Sequence, residues 1–182
     1  MLLVVLEFPG EIEYLCDQLE ARFRTKVSVS QCEFDSSAFF NFERDQYSSS
    51  AIVEWLEKDL STAHSKVLAV TGLDLYIPVL TFVFGEARLN GRCAVVSSYR
   101  LDNKFYGLPD NRRLLQDRLL KEAIHELGHT FGLFHCHNPQ CVMKSSTYVE
   151  EIDFKSSRFC DNCFEKLMKA LSLSSADNNR FE

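Results

Sequence analysis

The stretch HELGHTFGLFHCHNPQCVM, from His125 to Met143, contains four of the five histidines of this 182-residue chain. Two of the seven cysteines, Cys136 and Cys141, lie in the same stretch. Imidazole and thiolate groups both bind transition metals, so two sets of candidate ligands overlap in one short segment. The fold around this segment therefore depends on which of these residues bind the same metal ion.

His125 and His129 are four residues apart in a segment with helical apolar periodicity. Four residues turn an α-helix by about 400°, so both imidazoles leave the same face one turn apart. Glu126 is displaced from His125 by about 100°, where a carboxylate can take a proton from water at a metal ion. This H-E-x-x-H pattern predicts a catalytic zinc site with Glu126 as the general base.

A catalytic zinc usually has three protein ligands and leaves the fourth position to water. A continuous helix would turn residue 135 about 240° away from His129, so the chain must bend between them. Gly132 can adopt the left-handed conformation that such a bend requires. We therefore expect His135 to be the third ligand, with His137 in the following loop as the competing candidate.

Four cysteines form a second set with the spacing C-x4-C-x18-C-x2-C, namely Cys136, Cys141, Cys160 and Cys163. Their number and paired spacing predict a closed structural zinc site, and two disulfides are the alternative. The N-terminal MLLVVLEFPG has no basic residue, and its apolar run ends at Glu7. We therefore expect no export signal, no membrane span and a cytoplasmic location, where clustered thiols more often bind metal.

The composition limits the possible partners and the number of domains. A net charge of −6 and a pI near 5.4 argue against nucleic acid, because such binders usually present a basic face. The same acidic charge disfavours a zinc-ribbon module that binds nucleic acid. With 46% hydrophobic residues, the chain is long enough for one domain with a substantial core.

Upstream of the metal-ligand segment, strand-like and helix-like patterns alternate. Continuous apolar runs, such as residues 2–8, are typical of parallel strands that are buried on both faces. Asn90-Gly91 is a strong hairpin signal, so one strand pair is expected to be antiparallel. A long helix is expected from about 111 to 131. The pattern predicts an α/β (α+β) fold with a mixed, mostly parallel sheet packed with helices.

We expect residues 1–182 to form a single catalytic domain with two parts and a tail. Residues 1–133 are predicted to contain the sheet and the active-site helix. Residues 134–172 are predicted to form an irregular segment and a short helix, clamped together by the second zinc. The polar residues 173–182 are predicted to be disordered.

The motif HELGHTFGLFH matches the H-E-x-x-H-x-x-G-x-x-H signature of the metzincin metalloproteases, which also have a methionine in a downstream turn. The four cysteines after it make the chain similar to the archaemetzincin branch of that family. The resemblance implies a metzincin fold and a zinc-dependent peptidase that acts on peptides or proteins with two zinc ions. It places Met143 in the supporting methionine turn and implies aminopeptidase activity, although internal cleavage stays open.

One position departs from the pattern of some metzincins. These proteins have a metal-contacting tyrosine two residues after the turn methionine, whereas this chain has Ser145 there. The nearest tyrosine is Tyr148, which we do not assign as a ligand. An alternative function is a zinc-binding interaction module with a metzincin-like fold and little or no peptidase activity, although the intact Glu126 argues against it.

Overall fold

The computed structural model describes residues 1–8, 10, 12–60 and 66–178. The strands are β1 (Leu2–Leu6), β2 (Ser28–Gln31), β3 (Phe40–Asn41), β4 (Gln46–Ser48), β5 (Val67–Thr71), β6 (Leu75–Tyr76), β7 (Gly85–Ala87) and β8 (Cys93–Ser97). The helices are α1 (Glu13–Phe23), α2 (Ser49–Asp59), α3 (Arg112–Thr130), α4 (Val149–Phe154) and α5 (Asp161–Asn178). The main sheet has the strand order β2-β1-β5-β8-β7, and a smaller sheet has the order β3-β4-β6.

The inner strands of the main sheet are parallel. β1 pairs with β2 on one side and with β5 on the other, and β5 pairs with β8, all in parallel. Every residue of β5 and β8 is buried, as expected for parallel strands that are covered on both faces. β7 runs antiparallel to β8 at the edge of the sheet. The predicted mixed, mostly parallel sheet is confirmed.

Helices pack on both faces of this sheet. α1 and α3 lie on one face, where Leu19, Phe23 and Ile124 belong to one apolar core. α2 packs on the opposite face through Ile52 and Leu56, which belong to a second core. Among the described residues, no helix has the length and apolar character needed to cross a membrane. This arrangement places α3 against β7 and β8.

β7 and β8 form the predicted hairpin, with residues 88–92 between them. Asn90 has a φ of +54°, a left-handed conformation that asparagine tolerates better than most residues. Its backbone N–H donates to the carbonyl of His129 at 2.9 Å. Lys66 donates from Nζ to the carbonyls of Gly91 and Thr130, at 2.7 Å each. These bonds fix the turn of the hairpin to the C-terminal end of α3.

Three features differ from what the sequence predicts. The strands of the smaller sheet have only two or three residues each, too few to produce a recognisable alternation. The six-residue α4 lies in the segment that was expected to be irregular. α5 continues to Asn178, whereas the sequence predicts a short helix followed by a disordered tail from residue 173. Adding residues to an existing helix costs little, which explains the extension; residues 179–182 lie outside the described part.

Candidate functional site

The helix α3 positions the first two histidines. Its N-terminus is capped by Asn111, whose side chain accepts a hydrogen bond from the backbone N–H of Leu114 at 3.0 Å. His125 and His129 lie one turn apart near its C-terminal end, with ring centroids 4.7 Å apart. Their Nε2 atoms are 3.1 Å apart, so both rings present the same nitrogen to one point.

Gly132 reverses the chain after α3, as the sequence predicts. Its φ is +82°, in the left-handed region. The N–H of Gly132 donates to the carbonyl of His129 at 2.9 Å, and the N–H of Leu133 donates to that of Gly128 at 3.1 Å. This is the pattern of a glycine-terminated helix. The reversal brings the ring of His135 to within 5.3 Å of His125 and 5.0 Å of His129, measured between centroids.

The hydrogen bonds of these histidines prepare them for a cation. Nδ1 of His125 lies 2.9 Å from the carbonyl of Val142, and Nδ1 of His129 lies 2.7 Å from that of Leu133. A nitrogen next to a carbonyl must carry the proton, so each Nε2 has a free lone pair. Two lone pairs at 3.1 Å cannot hydrogen-bond to each other, but both can bind a metal ion.

The protonation state of the three rings agrees with that arrangement. Burial lowers the pKa of His125 well below its usual value and also lowers the pKa of His129 and His135. Neutral imidazole is the form that binds metal. The candidate ligand atoms of the three rings all lie within 4.8 Å of one another. The residues present therefore fit a zinc ion with three nitrogen ligands.

Glu126 lies in the same cleft as His125 and His135 and is 6% exposed. Burial and the nearby Glu122 carboxylate raise its pKa well above the usual value, while Lys155 lowers it. Its side chain packs against the edge strand at Gly85, where a Cβ atom would lie only 2.7 Å from Glu126 Cγ. Gly85 thus allows the strand to approach the carboxylate closely.

Met143 lies fully buried against the active-site helix. A Cβ added at Gly128 would collide with its sulfur, so the thioether occupies the space that this glycine leaves open. The carbonyl of Met143 also accepts a hydrogen bond from the N–H of Cys136 at 2.9 Å. Met143 therefore packs against the helix segment between the two helical histidines and is bonded to the segment that carries the third.

The four cysteines of the second set converge. Their sulfur atoms lie within 4.8 Å of one another, and Sγ of Cys136 is 3.7 Å from Sγ of Cys160. All four are free thiols, so the disulfide alternative is not what the structure contains. The N–H of Cys160 donates to Sγ of Cys141 at 3.3 Å. Burial raises the pKa of Cys141 and Cys163, which a bound cation would oppose by stabilising the thiolates.

Both clusters fit the two predicted zinc ions, and they are adjacent in the chain. His135 precedes Cys136 directly, and Cys141 is two residues before Met143. Between them, Val142 accepts the bond from His125 and donates its own N–H to the carbonyl of Arg158 at 2.9 Å. The cysteine cluster thus adjoins both His135 and the segment that contacts His125 and Gly128.

Two other residues considered from the sequence lie apart from these clusters. His137 is exposed, and neither metal-ligand cluster found in the described part of the chain includes it. Tyr148 is 65% exposed, and the cleft that contains Glu126 is lined by the preceding Thr147 instead. The third imidazole beside His125 and His129 is therefore that of His135 and not that of His137.

Sequence analysis missed a buried ion pair at this cleft. Nζ of Lys155 lies 2.8 Å from Oε1 of Glu122, and both side chains are buried. Glu122 is three residues before His125, so helical spacing could have placed it on the same face. Lys155 comes from the segment after α4, and no local pattern connects it with α3. The pair lies close enough to the site to affect the pKa of Glu126.

The model of the family described as peptidase family M54 matches residues 24–169. The chain is 48% identical to an archaemetzincin from Methanocaldococcus jannaschii over 128 residues, which are 70% of this chain and 69% of the relative.

Solved structures from archaea resemble this fold. The crystal structure of an archaemetzincin from Methanopyrus kandleri has a TM-score of 0.80 and 35% identity, covering 94% of this chain and 96% of that one. The crystal structure of a zinc-dependent peptidase from Methanocorpusculum labreanum has a TM-score of 0.77 and 30% identity, covering 92% of this chain and 100% of that one.

Proposed function

Because the chain belongs to peptidase family M54 and is a zinc metallopeptidase, we propose that it hydrolyses peptide bonds with Glu126 as the general base. Its substrates are peptides or proteins, as the family implies. One observation supports the mechanism above all others. Three neutral imidazoles converge beside a cleft that His125 and His135 line, and the buried carboxylate of Glu126, the residue next to His125, lines the same cleft.

His125, His129 and His135 would hold the catalytic zinc through their ring nitrogens. When bound, zinc supplies Lewis acidity, which activates water and polarises the peptide carbonyl. The carbonyls of Val142 and Leu133 keep the first two rings in the required tautomer and orientation. His135 is the exposed member of the set, so it lies on the side from which a peptide can approach.

Glu126 would accept a proton from water and pass it to the leaving amine. Two structural features determine the position of this carboxylate. It emerges from α3 next to His125, and Gly85 leaves room for it beside the edge strand. Because Glu126 is buried, bulk water is excluded and the carboxylate is not fully hydrated.

The second zinc would be structural, held by Cys136, Cys141, Cys160 and Cys163. Four thiolates close the coordination sphere and leave no position for a substrate. We assign Met143 a supporting role, because thioether sulfur matches a catalytic zinc poorly and this side chain packs on the helix backbone at Gly128.

A peptide substrate would extend the main sheet along β7. This strand pairs with β8 on one side, and in the described part of the chain no strand pairs with its other side. An extended peptide can add to such an edge through backbone hydrogen bonds. Gly85 places this edge directly above Glu126. Trimming from the amino terminus, as an aminopeptidase does, and internal cleavage are both compatible with this geometry.

Metal removal and restoration test this function. A mild chelator is expected to remove one zinc per chain and abolish cleavage of a peptide library, because an open three-ligand site binds metal less tightly than four thiolates. Adding one equivalent of zinc should restore cleavage. Full activity in protein that retains only its chelator-resistant zinc would contradict the proposal.

A further inference from the structure

A cavity of about 220 Å³ adjoins His125 and Glu126. One side is apolar and includes Leu80, Phe82 and Phe84. Glu122 and Ser146 also line it. The catalytic mechanism proposed above uses His125 and Glu126 but not Glu122, Ser146 or the apolar residues, so this part of the cleft requires a separate explanation.

Two residues that line this cavity each have a buried polar atom without an aligned hydrogen bond. Oε1 of Glu122 is buried and faces Nζ of Lys155 at 2.8 Å, as an ion pair without hydrogen-bond alignment. Oγ of Ser146 is also enclosed and has no partner. Within the described part of the chain, Oε1 of Glu122 therefore has the ion pair with Lys155 but no aligned hydrogen bond. Native proteins rarely leave buried polar atoms unsatisfied, and such atoms often mark the place of a ligand.

Lys155 lies behind the cavity rather than in it. Its side chain is 1% exposed, and Nζ also donates to the carbonyl of Lys144 at 3.1 Å. Lys155 is not among the residues that line the cavity. Glu122 is therefore the member of this ion pair that lines the cavity, while the ammonium group of Lys155 offsets the burial of its charge.

We propose that Glu122 determines substrate specificity by binding an alkylammonium or guanidinium group of the peptide. This inference rests on the peptidase function proposed above. The apolar lining matches the hydrocarbon stem of such a group, and the lining also contains carboxylates but no lysine or arginine, which matches its charge and N–H donors. A substrate carboxylate would face Glu122 directly, and a purely apolar group would leave both acceptors unsatisfied.

The cationic group could come from a lysine or arginine side chain or from the amino terminus of the substrate. Both would present N–H donors to Glu122. A long side chain also fills the apolar part of the cavity, so the side chain is the source that we expect. Peptides with free or acetylated amino termini distinguish the two sources.

The test is digestion of a peptide library by zinc-loaded protein, with cleavage products identified by mass spectrometry. Lysine and arginine should be enriched over leucine at one position beside the cleaved bond by roughly tenfold or more, with free and acetylated peptides alike. The Glu122→Leu, Lys155→Met double variant removes both buried charges together, because either single change would leave the other unpaired. Its products should lose the enrichment and favour leucine.

A binding measurement keeps the test independent of catalysis and of the double variant's folding. Zinc-loaded Glu126→Gln protein is titrated with the acetylated, amidated pentapeptide Ala-Ala-Lys-Ala-Ala and with its norleucine analogue, which keeps the stem but lacks the ammonium group. The lysine peptide should bind roughly tenfold or more tightly. Equal affinities, no basic enrichment in wild-type digests, or enrichment that persists in a folded double variant would each overturn the proposal.

The two proposals fail in different ways. Cleavage without a basic preference would remove the role of Glu122 and leave the peptidase intact. Tighter binding of the lysine peptide, together with no peptide cleavage by the wild-type protein, would support the role of Glu122 and remove the catalytic mechanism. A preference seen only with free amino termini would replace the side chain by the terminal ammonium group as the ligand of Glu122.

Discussion

The histidine cluster and the cysteine cluster are neighbours in the chain but differ in access. The histidine cluster adjoins a cleft, and its third member, His135, is exposed. In the cysteine cluster, Cys141 and Cys163 are buried, and four sulfurs of one kind surround a single point. An incomplete nitrogen set leaves room for water and substrate, whereas a complete thiolate set does not. The two clusters therefore differ in access and in ligand type, and this difference is the basis for proposing a catalytic role for one and a structural role for the other.

Replacing Cys160 by Ser should have the largest effect, because it removes one of the four thiolates proposed to join residues 136–141 to residues 160–163. Hydroxyl is a poorer zinc ligand than thiolate, so we expect loss of the structural zinc. The free energy of unfolding should fall by about 3 kcal/mol or more, which lowers Tm by roughly 10 °C. Thermal unfolding and metal analysis measure this directly.

Cys32→Ser is the matched control for that change, since Cys32 packs against the core on the opposite side of the sheet. It should retain both zinc ions and most of its stability. A Cys160→Ser protein that also keeps two zinc ions and unfolds at the wild-type temperature would show that the cysteines are not a structural metal site.

Replacing His129 by Ala should affect function without breaking the fold. The variant loses one of three nitrogen ligands, so the catalytic zinc should leave while the cysteine-bound zinc remains. We expect one zinc per chain, no detectable peptide cleavage, and a Tm within a few degrees of wild type.

The exposed His137 provides the comparison for His129→Ala. His137→Ala should keep two zinc ions and wild-type activity, because this side chain lies outside the histidine cluster. If His137→Ala lost the catalytic zinc while His135→Ala retained it, the assignment of the third ligand would have to be reversed.

A smaller effect is expected from Gly85→Ala. The added Cβ would lie 2.7 Å from Glu126 Cγ and 2.7 Å from the carbonyl oxygen of Val95, so the carboxylate or the strand must shift. Displacement of a catalytic group by about 1 Å can lower the rate roughly a hundredfold, so kcat should fall by about tenfold to a hundredfold. Metal analysis should still find two zinc ions.

The neighbouring Ala87→Ser on the same strand is the control, because Ala87 pairs with β8 but is not among the residues that line the cleft. Its kinetic constants should stay near wild type. If Gly85→Ala had unchanged kcat and KM, the close packing of β7 on Glu126 would have no catalytic importance.

Local sequence patterns predicted the parts of the site that depend on local geometry. The spacing of His125 and His129 determines which helix face they share, and Gly132 is needed because the chain adopts a φ of +82° there. The paired cysteines likewise converge as their spacing suggests. These features follow from helix rotation, backbone freedom and ligand chemistry, each of which is readable over a few residues.

Other features depend on contacts between distant segments. Lys155 pairs with Glu122, which lies 33 positions earlier, and no period or motif connects them. The short strands β3, β4 and β6 have too few residues for alternation, and β4 pairs with β6 from a distant part of the chain. The cavity beside Glu126 likewise combines residues around 80–85 with residues 145–147. Such features require the tertiary structure, because their free energy comes from packing rather than from local preference.

The central claim is that Glu126 transfers the proton during peptide hydrolysis, and the kinetics of Glu126→Gln with zinc analysis test it most directly. Glutamine has nearly the same volume and hydrogen-bonding reach but cannot take up a proton at neutral pH. We predict two zinc ions per chain, a Tm near wild type, and a kcat lower by roughly two to four orders of magnitude. Wild-type turnover in this variant, with both zinc ions present and contaminating proteases excluded, would contradict the account.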